Sequence, residues 1–365
     1  MRPPRLLTLA VLLAASGSCL SQNNNTLYGI ADLGMRSSNG MNASNGPVPT
    51  GSTSAVTSGV NNTSRWGLRG QETLADGWQA IYQLEGGINL DTGTSAKSDR
   101  LFDRQSWLGL KTGYGTVKLG RQTSLLVDAM TPADPLGIRF AAFNPNVNVA
   151  ALSNTAFGTH AFGQQYGNSG YADNFYRLDN LVKYSNNYGP LQASAAYSFG
   201  EVAGNQTALS TRGAALLYQQ NSLLLSGAVT RFYNRDALTL DAATIGTAYQ
   251  LDSWQFKANL ASNKADTGSH HSVHQRVASA GVSHPLGADL LLTTAYYRVR
   301  REASGYKDDG YDRAFAFLEK SLSPRTTAYL EADRTSWKAD AAGLTGTLAN
   351  ARHATALTLG LMQKF

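Results

Sequence analysis

Trp254-Gln-Phe-Lys-Ala-Asn-Leu260, WQFKANL, decides the fold class. Trp254, Phe256, Ala258 and Leu260 fall on one face of an extended chain, and Gln255, Lys257 and Asn259 fall on the other. The same period of two recurs elsewhere. Trp78, Ala80, Tyr82 and Leu84 alternate with Gln79, Gln83 and Glu85, and Leu357, Leu359, Leu361 and Phe365 oppose Thr358, Gly360 and Lys364. A solvated antiparallel sheet would give this pattern, and so would a barrel with lipid outside and water inside. Composition narrows the choice. Charged residues make up 15 % of the 365, below the roughly 25 % of an ordinary soluble domain. Gly (36) and Tyr (17) are abundant, while 42 % hydrophobic content argues against disorder. Mean hydropathy is -0.26 and no run of about 20 apolar residues occurs, so spanning helices are excluded.

The N-terminus reads as an export signal. Arg2 and Arg5 precede the apolar run Leu6 to Ala15, and the small residues Ser16, Gly17 and Ser18 follow. The run is too short to span a bilayer as a helix. Residues 1–21 are therefore read as a cleaved signal peptide and 22–365 as one barrel domain. Cleavage after Ser21 removes Cys19, the sole cysteine, and lowers the formal charge of +6 by two. Lipidation of Cys19 is the alternative, but Ser16 stands where such signals usually carry Leu. With one cysteine, neither a disulfide framework nor a thiolate metal cluster can form.

Segments of eight to twelve residues end alternately in a tight turn and a longer polar loop. Leu27–Arg36 opens the series, and residues 37–63 read as a loop. Strands follow at Ser64–Glu72, Trp78–Gly86, Asp103–Lys111 and Thr116–Gln122, with a loop over 87–101. A long interval from Thr123 to about Asn180 precedes the strand at Leu181–Ser185. Short turns then fall at 186–190, 219–222, 251–253, 284–288 and 321–325. Loops fall near 200–209, 233–241, 263–273, 301–311 and 336–352, and His353–Phe365 closes the chain. The count is sixteen strands with eight long loops on one rim and seven short turns on the other. Transmembrane barrels sort their connections in this way. Trp78 and Trp254 lie beside short turns, where an aromatic girdle would sit.

Several long blocks resemble the general porins of Gram-negative outer membranes, in their neisserial and beta-proteobacterial branch. TLYGIADLG from Thr26 is similar to that family's first strand, and SRWGLRGQETLADGWQAIYQLEGGINLDTG (Ser64–Gly93) to its second and third. LFDRQSWLGLKTGYGTVKLGRQ (Leu101–Gln122) resembles the next hairpin and SLSPRTTAYLEADR (from Ser321) a late one. The terminal Phe365 also matches, although Gln363 stands where an aromatic, apolar or His residue is commoner. The resemblance implies an all-β fold, a sixteen-stranded antiparallel transmembrane β-barrel with its long third loop folded into the lumen. It further implies a homotrimer in the cell outer membrane that passes ions and small hydrophilic solutes passively. Basic wall residues would face acidic loop residues at the constriction. By parity Arg65, Arg69 and Arg104 face the lumen, and Lys118 is a further candidate. Arg121 sits at the strand-to-loop junction, and Asp128 and Asp134 are the loop acids.

A ring of basic groups favours anions, and Arg stays charged at every working pH; mild anion selectivity is the expectation. A solute-specific channel, a barrel enzyme and a surface adhesin are the rivals. No Gly-x-Ser-x-Gly elbow is present, and the Gly-x-Gly near Gly113 lies in a turn rather than before a helix. His270, His271 and His274 cluster near one loop, with Asp266 their sole nearby carboxylate, and read as a surface group rather than a metal site. No catalytic residue, cofactor or metal is expected. Outer-membrane lipid and lipopolysaccharide are expected neighbours, although no motif requires lipopolysaccharide or calcium. Nucleic acid is not expected, since the charge behind the pI of 9.3 is spread evenly.

Overall fold

The computed structural model describes residues 24–41, 47–139, 144–146, 177–236, 238–268, 271–303, 306–338 and 352–365. The expected signal peptide lies outside them. Strands come first as β1 (Asn24–Met41), β2 (Pro47–Ser58), β3 (Arg65–Thr73), β4 (Gln79–Asn89), β5 (Thr94–Ser95), β6 (Gln105–Thr112) and β7 (Gly115–Thr123). A helix, α1 (Leu125–Ala133), follows. The remaining strands are β8 (Arg177–Tyr188), β9 (Leu191–Ser198), β10 (Thr211–Gln220), β11 (Leu223–Tyr233), β12 (Thr239–Leu251) and β13 (Trp254–Gly268). The last five are β14 (His271–Pro285), β15 (Leu290–Ala303), β16 (Tyr306–Ser321), β17 (Thr326–Trp337) and β18 (His353–Lys364).

Every sequential pair from β6 to β18 is antiparallel, and β18 pairs back onto β1 from Ile30↔Lys364 to Asn39↔Thr355. The sheet is therefore a closed barrel of sixteen strands, β2 and β5 being additions to it. Closure leaves no edge carrying unpaired backbone groups, as a sheet in hydrocarbon requires.

Three connections differ from the sequence reading. Residues 37–63 are not a plain loop. β1 continues to Met41 and β2 runs back along it, with Leu33 opposite Ser58 and Ser37 opposite Ser54. Most of the loops expected over 263–273 and 301–311 are likewise strand, with register shifts near their tips. Ser, Thr and Asn conceal these extensions, because outside the lipid both faces can be polar and the alternation disappears.

The exposed positions midway along β11 to β13 are apolar. Val229, Ile245 and Leu260 are each about 60 % exposed, while Ala228, Thr244 and Ala261 beside them in sequence are buried. Apolar side chains turned to the surroundings in this number belong in lipid. α1 packs on the alternate positions of β10–β12. Leu126 and Met130 join Ala228, Phe232 and Leu240 in one apolar cluster, and the Ser226 hydroxyl donates to the Ala129 carbonyl at 2.7 Å.

The barrel seam explains the terminal Phe. Gly29 and Phe365 exchange backbone hydrogen bonds of 2.9 and 3.1 Å, and a Cβ on Gly29 would stand 2.2 Å from the Phe365 ring. One strand further, a Cβ on Gly360 would stand 2.2 Å from Cζ of Tyr329, whose hydroxyl donates to Asp32 at 2.6 Å. Gly360→Ala is therefore expected to unseat Tyr329 and to cost about 1–3 kcal/mol. The check is the temperature at which the barrel loses its compact migration in detergent gels, which falls in this variant.

Candidate functional site

The candidate wall residues come from neighbouring strands whose register is fixed by long antiparallel pairing. Arg65 pairs with Gly87 and Arg69 with Gln83. Alternation puts Arg65, Arg69, Tyr28, Gln83 and Glu85 on the face opposite Leu27, Leu68 and Leu84. There Glu85 receives Arg104 Nε at 2.7 Å, Arg65 Nε at 3.5 Å and the Tyr28 hydroxyl at 2.8 Å. Gln83 Nε2 donates to the Tyr28 oxygen at 2.6 Å, and the Arg69 guanidinium lies 5.1 Å from the centroid of the same ring. Arg65, Arg69 and Arg104 thus gather around one tyrosine and one buried carboxylate. Glu85 cancels one of their three charges, a pairing hidden in the linear sequence because Arg104 meets it across a loop.

Lys118 belongs to a second group. It sits opposite Lys183 on β8, with its ammonium 4.2 Å above the Trp107 ring. Lys183 reaches Asp128 Oδ2 at 2.6 Å, and Thr123 donates to Asp128 Oδ1 at 2.7 Å. These groups bound a polar cavity of about 270 Å³ between the wall and the first turn of α1. α1 begins there because Ser124 caps it, its side chain accepting from the Val127 amide, and Asp128 suits the positive end of the helix. Among the described residues Lys118 and Arg69 form no ion pair, so their charge is left for solvent or solute.

Arg121 and Asp134 are placed differently. Arg121 is 7 % exposed, donates to the Asp103 carbonyl at 2.5 Å and pairs with Asp179 at 2.7 Å, beside Arg100 on the same carboxylate. It ties the β7 end to β8 instead of standing in open water. Asp134 is fully buried and acts as a hub. It accepts the Tyr297 hydroxyl at 3.0 Å, the amides of Leu136 and Ile138 at 2.9 Å, and the side-chain amides of Asn144 and Asn146 at 3.0 and 2.9 Å. Its carboxylate organises the segment after α1 and does not meet solvent. Arg139 adds a second tie, to Glu319 at 2.6 Å and Asn61 at 3.1 Å.

Lys183 and Glu85 belong to these two groups and Lys257 lies on the same face further round the barrel; none of the three was among the sequence candidates. Period-two parity alone puts Lys257 with Gln255 and Asn259, and Lys183 falls within the strand expected at Leu181–Ser185, so both signals were present. His274 donates to or accepts from Ser262 at 2.8 Å and lies 3.2 Å from Arg276. His270 and the side chain of His271 lie outside the described residues.

Residues 8–340 match the family described as Gram-negative porin. The chain belongs to that family. An outer membrane porin protein of Delftia acidovorans is 27 % identical over 369 residues, covering 98 % of this chain and 92 % of that one. An outer membrane porin protein of Bordetella pertussis is 34 % identical over 203 residues, 53 % of this chain but 47 % of its own length, so that match spans about half of the relative. Among solved structures, an anion-selective porin from Comamonas acidovorans superposes with a TM-score of 0.73 over 94 % of this chain and all of that one. At 21 % identity that likeness is one of fold.

Removing the one carboxylate at the arginine group has a directional consequence. Glu85→Gln keeps the shape and removes the carboxylate that Arg65 and Arg104 share. The measured anion preference is expected to rise roughly two- to threefold at low salt, and the rise is expected to shrink as salt screens it.

Proposed function

We propose that this porin is a water-filled outer-membrane channel for passive diffusion of ions and small hydrophilic solutes, with mild anion preference set by Arg69, Lys118 and the Arg65–Arg104 pair. The observation that carries the proposal is the sorting of side chains on a closed barrel. Val229, Ile245 and Leu260 line one face, whereas Arg65, Arg69, Lys118 and Lys183 share the other. A face that holds several cations in one narrow region has to be wet.

In this reading α1 and the residues to Arg139, with Asn144 and Asn146, lie within the lumen and narrow it, held by Asp134 on Tyr297, Arg139 on Glu319 and Lys183 on Asp128. Asp128 supplies the acidic side of the constriction and Lys118 faces it across the polar cavity. A permeating anion exchanges part of its hydration for the ammonium of Lys118 and the guanidinium of Arg69, neither of which is held in an ion pair among the described residues. Passive conduction requires no catalysis: fixed charges and a water path suffice.

Residues 1–21 serve as the export signal in this proposal, and the barrel assembles as a homotrimer in contact with lipopolysaccharide. The test is a planar bilayer held under a salt gradient. Conductance that rises in groups of three, with reversal on the anion side, supports the trimer and the basic constriction together. Reversal on the cation side would return control to Asp128 and the other acids. A folded barrel without conductance would overturn the channel.

A further inference from the structure

The outer wall of β9–β15 carries a feature that the pore does not use. Ala193, Ala214, Gly227 and Ala243 are small, and taller neighbours such as Leu216 and Ile245 leave a trough of about 1190 Å³ among them. Its lining is largely apolar with a few hydroxyl side chains, and its charged residues are Arg276, Arg298 and Arg300. A second concavity of about 760 Å³ shares Ala214, Val229 and Ala243 with it and is bounded by Arg212, Arg231 and Lys264.

Cross-strand register places these cations on the same wall. Arg212 faces Arg231, Arg231 faces Asp241, Asp241 faces Lys264, and Arg276 faces Arg300. The charged boundary steps towards the short turns from β10 to β15, as a level line must on tilted strands. It lies at the strand ends that adjoin the longer connections, the outer rim of a porin.

Six cations meet few carboxylates. Arg231 pairs with Asp241, Arg276 with Glu302 at 2.8 Å, and Arg298 and Arg300 share Asp312 at 3.2 Å. Asp266 lies one step further out, on the Thr239 hydroxyl. Arg276 and Arg298 remain 57 % exposed. The outward positions of β1, β3, β4 and β6 carry no basic side chain, so the belt belongs to one side of the barrel. An uncharged wall suits contact between subunits, whereas cations above an apolar trough suit an anionic lipid.

We propose that this wall is a binding site for the phosphorylated glycolipid of the outer leaflet, lipopolysaccharide, with acyl chains in the Ala193–Ala243 trough and a lipid A phosphate on Arg276, Arg298 and Arg300. The inference rests on the outer-membrane reading above and deepens its lipid contact into a defined site. Guanidinium groups favour phosphate because they offer paired N–H donors to its oxygens. The phosphate gains donors that Asp312 and Glu302 leave over, and the small residues let acyl chains approach the sheet closely.

The test uses the full barrel, purified in detergent and offered lipid A, dephosphorylated lipid A or phosphatidylglycerol, with retained lipid read by mass spectrometry. The triple variant Arg276→Ala/Arg298→Ala/Arg300→Ala is expected to retain about tenfold less lipid A, equivalent to one factor of ten in affinity. The corresponding triple Lys variant retains most of it. Gly227→Trp, which fills the trough and leaves every arginine in place, also lowers retention. Wild-type retention in the triple Ala variant would overturn the site. So would equal retention of dephosphorylated lipid A, or of phosphatidylglycerol, by the unaltered protein. Bilayer conductance separates the two readings: it is expected to be unchanged in all three variants, because these residues lie outside the pore, and its absence from the unaltered barrel would sink the channel without touching lipid retention.

Discussion

Arg69→Glu/Lys118→Glu is expected to abolish anion preference and carry the reversal potential to the cation side. The two residues are the strongest choice because among the described residues neither spends its charge on a carboxylate. Arg69 rests on Tyr28 and Lys118 on Trp107. Each reversal changes the local charge by two. At about 6 Å in water a unit charge contributes roughly 0.7 kcal/mol, so the anion-to-cation permeability ratio should fall by roughly tenfold or more at low salt. Screening within a Debye length of about 10 Å at 0.1 M reduces the effect as salt rises. The measurement is the reversal potential at two ionic strengths. An unchanged value would show that selectivity resides elsewhere in the lumen. Arg121→Gln provides the contrast: its guanidinium is already bound to Asp179 and the Asp103 carbonyl, so selectivity should move little while barrel stability drops.

Asp134→Ala is expected to release the segment after α1. Its carboxylate holds the Tyr297 hydroxyl, two backbone amides and the side chains of Asn144 and Asn146, all away from solvent. Without it the Tyr297 hydroxyl and the Leu136 and Ile138 amides lose their acceptor, while Asn144 and Asn146 keep Tyr297 and Ser279. Each buried donor left unmade costs about 1–3 kcal/mol. The barrel has its own closed hydrogen-bond ladder and should stay intact, while the segment loses its fixed position. Single-channel conductance is therefore expected to rise, with open-state noise that the unaltered protein lacks. Tyr297→Phe removes one donor of the same hub and should give a smaller change in the same direction. A quiet channel of unaltered conductance in Asp134→Ala would rule out this carboxylate as the anchor.

Much of this was legible in the residues because a spanning barrel obeys a simple local rule. In the lipid zone each strand must alternate, so WQFKANL and its relatives declare both the strand and its faces. Sixteen strands, the short turns, the final strand and the shared face of Arg65 and Arg69 follow from that rule. Arg104 instead precedes β6, whose Gln105 and Trp107 share the Glu85 face, so its contact with Glu85 comes from the connection and not from alternation. The rule fails where lipid ends. The polar ribbon of β2 looks like a loop because water accepts side chains on both of its faces, and the extensions of β13 to β16 are obscured for the same reason.

Charge identities were local as well, but charge pairings were not. Arg104 and Glu85 share no helical or strand spacing, and Asp134 meets Tyr297 163 positions further along. The amino-acid sequence by itself determined the barrel class, the strand count and the side of the wall on which each strand cation stands, because alternation is enforced residue by residue. Only the tertiary structure decided which of the described cations meet a carboxylate, that Asp134 is a buried hub while Asp128 meets solvent, and that six outer-wall cations border two adjoining concavities. Those depend on closure and cross-strand register, which bring together side chains from distant parts of the chain.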